Sequence, residues 1–241
     1  MRVGIFDSGI GGLTVLNCLI ESYPNNEYIY FGDTLNLPYG TKSLEQLREY
    51  ADKIINFLIS KRVDVIVIAC GTISSNLYEE IKEKYPIPII DVLTPTVKYI
   101  KENDLDNVGV FATPMTIKSG AFNSVVNNST SCPLFVPLIE SGKINTKECD
   151  EAVIDYLKEL GDCEYIILGC THYPVLEKVI HKYSNSKLIN MGQCVSNYIN
   201  ISNEGELKVT LYFSLLSDEL LKNISTIIKI PYEIKQQVLK N

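Results

Sequence analysis

DVIVIACGT at residues 64–72 and EYIILGCTH at residues 164–172 are two versions of one unit. Each is an apolar run followed by a small residue, a cysteine and a nearby threonine, so that Cys70 and Cys170 fall at equivalent places. VGIFDS at residues 3–8 and VGVFAT at residues 108–113 form a second matching pair, and IPIIDV and SKLINM form a weaker third. A strand and loop unit that recurs at a nearly constant offset indicates internal duplication, so the sequence predicts two related lobes.

Segments of helix length, such as SLEQLREYADKIINFLISK at residues 43–61, separate several apolar runs. This alternation is typical of parallel α/β folds, and nearly continuous apolar runs are expected where helices cover both faces of a sheet. We predict an α/β fold: two pseudo-symmetric lobes with mainly parallel central sheets flanked by helices, and an active site in the cleft between them. The predicted strands are RVGIF, EYIYF, VDVIVIA, IPIID, NVGVFA, CPLFVP, EYIILG and KLINM.

The same repeat predicts how the chain is divided. Residues 1–94 are expected to form the first lobe and residues 95–203 the second. The stretch from about residue 204 onward has no counterpart in the repeat, so we predict that residues 204–241 return to the first lobe.

The composition excludes several classes of protein. The 241 residues include 22 basic and 29 acidic side chains, with no basic cluster suited to a nucleic-acid backbone. No apolar stretch is long enough to cross a bilayer and no signal peptide is visible, so we expect a soluble, cytoplasmic protein. Seven cysteines without a CxxC pair and only two histidines argue against a disulfide framework and against a metal site.

Two equivalent cysteines suit a chemically symmetric reaction. Inverting a carbon centre requires one group to remove a proton from one face and another to donate a proton to the opposite face. A thiolate and a thiol divide these roles when their pKa lies near the working pH, so no cofactor is required. Neighbours able to adjust the two thiols are Asp7 beside Cys70 and His172 beside Cys170.

The loops around the cysteines favour an anionic ligand. The glycine-rich turn SGIGG at residues 8–12 precedes an apolar helical segment, and helix N-termini attract carboxylates. Thr72, Ser74 and Thr171 offer hydroxyl donors. We also expect both cysteines at helix N-termini, a position that lowers a thiol pKa.

Several longer motifs carry a family resemblance: FDSGIGGLTVL (6–16), YFGDTLNLPYGTKS (30–43), IACGT (68–72), CPLFVPLIESG (132–142) and ILGCTHYP (167–174). With these, the chain resembles glutamate racemases of the aspartate/glutamate racemase superfamily over almost its whole length. The resemblance implies a cofactor-free two-base mechanism in which Cys170 removes the proton from L-glutamate and Cys70 removes it from D-glutamate. It further implies a cytoplasmic bacterial homodimer that supplies D-glutamate for peptidoglycan.

The resemblance also implies roles for individual residues. Asp7 assists Cys70, while Glu140 and His172 assist Cys170. The implied substrate contacts are Asp7, Ser8, Tyr39, Gly40, Gly71, Thr72, Thr113, Thr116, Thr171 and His172.

Two positions depart from the family pattern. Gly71 stands where the family usually has asparagine, which removes an amide expected to contact the substrate. Asn190 stands where an aspartate is common, without an evident mechanistic consequence at the level of sequence.

Other interpretations stay open. Aspartate racemase is the nearest alternative, and Gly71 also motivates a homologue that binds an acidic amino acid without turning it over. The strand, glycine-rich turn and helix resemble a dinucleotide site with Asp33 as ribose ligand, although Thr14 stands where the last glycine belongs. Without the family pattern, Glu140 would be interpreted as a surface residue, and Tyr39 and Gly40 as residues of a turn. His181 is interpreted as a surface residue in either case.

Overall fold

The computed structural model describes residues 1–239, which form two parallel sheets flanked by helices. Helices and strands alternate through the first part of the chain, as the sequence predicts. These elements are β1 (Arg2–Asp7), α1 (Leu13–Ser22), β2 (Glu27–Gly32), α2 (Leu44–Ser60), β3 (Val65–Ile68), α3 (Gly71–Lys84), β4 (Ile89–Asp91) and α4 (Leu93–Glu102).

The second part repeats this arrangement with shorter helices, and a tail follows it. The repeated elements are β5 (Val108–Ala112), α5 (Pro114–Ser119), β6 (Asn128–Ser131), α6 (Phe135–Glu140), α7 (Lys147–Leu160), β7 (Tyr165–Leu168), α8 (Glu177–Ile180), β8 (Lys187–Asn190) and α9 (Met191–Tyr198). The tail consists of β9 (Lys208–Phe213), α10 (Asp218–Ile227) and β10 (Glu233–Gln236).

Sheet order confirms the duplication. The six-stranded sheet has the order β10-β9-β2-β1-β3-β4, and the four-stranded sheet has the order β6-β5-β7-β8. The strands β2-β1-β3-β4 and β6-β5-β7-β8 thus follow the same order, and all neighbouring strands are parallel. Val3 pairs with Val65 in one sheet and Val108 with Tyr165 in the other. The predicted fold class is therefore correct, and we call the sheets with their flanking helices the first and second lobes.

The tail extends the first sheet. β9 pairs in parallel with β2, and β10 pairs in parallel with β9. The exact division of the chain into residues 1–94 with 204–241 and residues 95–203 stays a prediction.

A shared apolar core joins the two lobes through α1 and α9. Leu13 and Leu16 of α1 lie in the same hydrophobic cluster as Met191 and Val195 of α9. Gly192 permits the close approach, because a Cβ added there would stand 3.0 Å from the Cα of Val15. Burial of these apolar side chains stabilises the arrangement of the lobes by about 25 cal/mol per Å² removed from water.

Asn190 has a structural role that the sequence alone did not reveal. Its Oδ1 accepts a hydrogen bond of 2.8 Å from the N–H of Gly192 and so caps α9. Asp91, at the equivalent end of β4, accepts from the N–H of Leu93 at the start of α4. Asparagine and aspartate are comparable helix caps, so the replacement of aspartate by asparagine preserves the local structure.

One predicted strand is wrong. CPLFVP forms a turn and the start of α6, and the strand at this place in the sheet is the preceding polar segment, Asn128–Ser131. β6 lies at the edge of its sheet with Asn128 and Ser129 exposed, so it needs no continuous apolar run. Within residues 1–239, no helix has both the length and the apolar character that a membrane span requires.

Candidate active site

The carboxyl ends of strands from both sheets face one cavity of about 430 Å³. β1, β3, β5 and β7 each end at its wall, as expected for ligand sites in parallel α/β folds. Every residue that the resemblance assigns to the site lines it: Asp7, Ser8, Tyr39, Gly40, Cys70, Gly71, Thr72, Thr113, Thr116, Glu140, Cys170, Thr171 and His172.

The sequence reasoning missed the apolar part of this wall. Cys132, Pro133, Val136 and Pro137 lie in CPLFVPLIESG, a motif quoted for the resemblance but given no site role apart from Glu140. The motif was the sequence signal from which this part of the wall could have been predicted. Its cysteine and prolines follow the end of β6 and lead into α6. Further residues that line the cavity are Leu37, Pro38, Thr41, Pro114 and Gly169.

Cys70 stands at the start of α3 and is 4% exposed. Burial raises the pKa of its thiol well above the ordinary value, and the nearby Asp7 carboxylate raises it further. The backbone amides of Ile73 and Thr72 favour the thiolate but do not outweigh these effects. The predicted helix position is thus correct, whereas the predicted lowering of the pKa is wrong for Cys70.

Asp7 joins the two lobes beside Cys70. Its Oδ2 accepts hydrogen bonds from the N–H of Gly12 over 2.6 Å and from the hydroxyl of Thr171 over 3.1 Å. Asp7 is 1% exposed, so these donors stabilise a carboxylate that would otherwise be costly to bury. Asp7 therefore caps the turn before α1 and at the same time lines the cavity next to Cys70.

Cys170 has a different local structure from Cys70. It follows β7 in a turn, and the next ordered segment is a 3₁₀ helix, Tyr173–Leu176, which precedes α8. The expectation of a helix N-terminus at Cys170 is met only by this 3₁₀ helix, whose Tyr173 N–H donates to the Cys170 carbonyl over 3.0 Å, because α8 starts only at Glu177. In place of helix amides, the neighbour of Cys170 is the imidazole of His172, with 3.7 Å between Sγ and Nδ1.

His172 forms a relay with Glu140. Its Nε2 lies 2.6 Å from Glu140 Oε1, and the imidazole is 2% exposed. Burial opposes protonation of the ring, but the hydrogen bonds with Cys170 and Glu140 prevail and hold the pKa of His172 well above its usual value. A protonated ring donates from Nδ1 toward the Cys170 sulfur and from Nε2 to the carboxylate, and so stabilises negative charge on that sulfur.

The glycine-rich turn accommodates this relay, and the first amides of α1 are not free to bind an anion. A Cβ added to Gly11 would lie 2.3 Å from His172 Nδ1, and one added to Gly9 would lie 2.7 Å from Glu140 Oε1. The N–H groups of Gly12, Leu13 and Thr14 already donate to Asp7, Ile10 and Gly11 respectively. The expectation that the first amides of α1 bind a ligand carboxylate is therefore wrong, because the protein itself occupies them.

Four predicted donors are engaged within the protein. Tyr39 donates its hydroxyl to Asp33 Oδ2 over 2.7 Å, and Asn36 also donates to Asp33. The Asp33 carboxylate is thus hydrogen-bonded within the protein and buried, which argues against a contact with a ribose. Ser74 donates to the carbonyl of Ile68 and does not line the cavity, and Thr113 and Thr116 pair with each other over 3.0 Å.

Gly71 lies where the start of α3, after Cys70, approaches the segment around Cys170. A Cβ added there would stand 3.0 Å from the carbonyl oxygen of Gly169 and 4.0 Å from the Cα of Cys170. The glycine therefore allows the start of α3 to approach the end of β7 more closely than a larger residue allows.

Comparison with known proteins identifies the family of this chain. Residues 14–197 match the model of the Asp/Glu/Hydantoin racemase family. The glutamate racemase of Aquifex aeolicus is 38% identical over 95% of this chain and 94% of its own length. That of Hydrogenobaculum is 39% identical over 98% of this chain and 96% of its own. The crystal structure of glutamate racemase from Francisella tularensis in complex with D-glutamate is 31% identical, with a TM-score of 0.86 over 99% of this chain and 97% of that chain.

The chain therefore belongs to the Asp/Glu/Hydantoin racemase family, with the glutamate racemases, and is an isomerase.

Proposed function

We propose that this protein interconverts L-glutamate and D-glutamate without a cofactor, using Cys70 and Cys170 as two opposing acid/base groups. One observation carries the proposal: the cysteines end equivalent strands of two related lobes and line the same cavity. Each has its own acid/base neighbour, Asp7 for Cys70 and His172 with Glu140 for Cys170.

The reaction from L-glutamate begins with the Cys170 thiolate. The sulfur takes the α-proton, and the electron pair of the broken C–H bond remains on the α-carbon. The Cys70 thiol then gives its proton to the opposite face of that carbon, which completes the inversion. At the end Cys170 is a thiol and Cys70 a thiolate, so the reverse reaction starts from Cys70 and the atoms balance.

The pKa shifts of Cys70 and His172 favour the L to D direction. The raised pKa of Cys70 keeps this thiol protonated and ready to donate, while the protonated His172 supports negative charge on Cys170. After one turnover, proton exchange with water restores these states. Asp7 and His172 are the groups placed to pass protons to and from the two sulfurs.

The cavity suits a small amino acid with two carboxylates. Among the described residues that line it there is no lysine or arginine, so hydroxyls and backbone amides must hold the carboxylates. Ser8 and Thr72 are hydroxyl donors, the Thr113 and Thr116 pair has one hydroxyl hydrogen left to donate, and Tyr39, Gly40 and Gly71 offer backbone groups. One methylene changes affinity by only about 1 to 3 kcal/mol, so aspartate is the competing substrate to measure.

Deuterium incorporation tests the proposal. L-glutamate, D-glutamate and both enantiomers of aspartate are incubated in heavy water without cofactor, with wild type, Cys70→Ser and Cys170→Ser. We expect wild type to exchange and racemise glutamate and each serine variant to lose racemisation. Binding of glutamate without exchange would instead identify a non-catalytic binder, and preferential exchange of aspartate would identify an aspartate racemase.

The cellular role is part of the same proposal. D-glutamate made in the bacterial cytoplasm would supply peptidoglycan synthesis, so depletion of the protein should make growth depend on added D-glutamate. Normal growth of depleted cells without it would contradict this role. We also propose a homodimer, which sedimentation equilibrium of the purified protein tests directly.

A further inference from the structure

Helix α10 contacts the relay of His172 and Glu140 from outside the cavity. The side chain of Asn223 on α10 donates from Nδ2 to the backbone carbonyl oxygen of Glu140 over 2.8 Å. Glu140 is the last residue of α6, where helix carbonyls have no partner within the helix. The hydrogen bond therefore fixes the backbone from which the Glu140 carboxylate reaches His172.

α10 itself is attached to the first lobe. Ile224 is fully buried and belongs to the hydrophobic cluster that contains Leu13 and Leu16 of α1. Asn17 of α1 donates from Nδ2 to the carbonyl of Ile227 at the end of α10 over 2.8 Å. Asn223 consequently extends from a helix held by the first lobe to the acid/base group of the second.

Glu140 has close neighbours at its carboxylate and along its backbone. Its carboxylate lies against Gly9, where an added Cβ would come within 2.7 Å of Oε1. On the other side the chain turns at Gly142 with φ +67, and a Cβ added there would stand 3.5 Å from Asn223 Oδ1. A shift of this backbone would therefore alter the 2.6 Å contact between Glu140 and His172.

We propose that Asn223 is a positioning residue that holds Glu140 in line with His172 and thereby serves Cys170 but not Cys70. The inference rests on the proposed two-base function. Asn223 does not line the cavity, so it acts through Glu140. Cys70 has a separate neighbour, Asp7, whose hydrogen bonds come from Gly12 and Thr171.

A defect confined to one of two bases has a distinctive kinetic signature. Enantiomers have equal free energies, so kcat/KM stays equal in the two directions for every variant. Slower proton removal by Cys170 makes that step more rate-limiting. The primary isotope effect with α-deuterated L-glutamate should then rise. With α-deuterated D-glutamate, Cys70 removes the deuterium and Cys170 donates the proton. Because the Cys170 step becomes more limiting, removal by Cys70 becomes less limiting and this isotope effect should fall.

The experiment compares Asn223→Asp, which keeps the shape but replaces the donor by a charged acceptor, with Asn223→Ala, which removes the donor without adding charge. Ser225→Ala is the matched control, since Ser225 is exposed on the same helix and its hydroxyl only donates to the carbonyl of Lys222. We expect kcat to fall about fivefold in both Asn223 variants, as for loss of one hydrogen bond of ordinary strength. The two isotope effects should diverge in the Asn223 variants and remain at wild-type values in Ser225→Ala.

Isotope effects that are unchanged in both Asn223 variants, or that change equally for both enantiomers, would overturn the inference. Glu140→Gln serves as the positive control. If Glu140→Gln separates the two isotope effects and the Asn223 variants do not, the positioning role fails while the proposed function stands. If wild type exchanges no α-proton, the proposed function fails and the inference with it.

Discussion

The hydroxyl of Thr171, in the second lobe, donates a hydrogen bond over 3.1 Å to the carboxylate of Asp7, in the first. Thr171 directly follows Cys170, whereas Asp7 lies beside Cys70. Thr14 of α1 completes the connection by donating from Oγ1 to the Thr171 carbonyl over 2.8 Å. The residues next to each cysteine are therefore hydrogen-bonded to the opposite lobe, so the relative position of the lobes affects the surroundings of both cysteines.

Thr171→Val should weaken this connection. The variant keeps the shape but leaves the buried Asp7 carboxylate without one of its two protein donors. Loss of a hydrogen bond to a charged buried group costs about 1 to 3 kcal/mol, and we expect a decrease of that size in the free energy of unfolding in urea. Thr171→Ser retains the hydroxyl and should remain near wild type. Equal denaturation midpoints for the valine and serine variants would contradict the proposed role of the hydroxyl.

Glu140→Gln should move the alkaline limb of the pH–rate profile to lower pH. The contact with Glu140 helps to raise the pKa of His172, so its neutralisation lowers that pKa. A raised pKa favours the active, protonated imidazole until the pH rises through it, and the variant therefore loses activity earlier as the pH increases. The measurement is kcat against pH for L-glutamate.

Glu177→Gln is the matched control for that experiment. Glu177 also lies beside a histidine, with 4.0 Å between its Oε1 and His181 Nε2, but both side chains are exposed. This variant should leave the alkaline limb in place. An identical shift in both variants would show that general charge, and not the relay, controls the profile.

Gly11→Ala should displace His172. The added Cβ would overlap the imidazole at 2.3 Å from Nδ1, so the ring would have to shift from its contacts with Cys170 and Glu140. Overpacking of this kind costs about 1 to 3 kcal/mol of stability, and we expect kcat to fall with it. Gly40→Ala is the stability control, because an added Cβ there meets no atom within 4 Å. A Gly11→Ala protein with the stability and kcat of wild type would refute the close contact.

The repeat made the architecture and the cysteine pair predictable from the sequence, because apolar runs and the residues that end them are local features. β6 was missed for a physical reason: an exposed edge strand such as NSTS carries no apolar signal. The relay of Glu140 and His172 was available only from the family pattern, since the two residues are 32 positions apart. Asn223, contributed by a tail outside the repeat, left no local signal at all.

Asp7→Asn should make Cys70 react faster with iodoacetamide. The Asp7 carboxylate, together with burial, raises the pKa of Cys70, so removing its charge lowers that pKa and increases the thiolate fraction at a given alkaline pH. The rate is followed by peptide mass spectrometry against pH, in a Cys170→Ser background so that the second catalytic thiol does not interfere. Cys132 supplies an internal control, because burial raises its pKa as well but Asp7 is not among the groups that act on it. If Asp7→Asn accelerates Cys132 as much as Cys70, the variant has opened the cavity, and the electrostatic link between Asp7 and Cys70 is refuted.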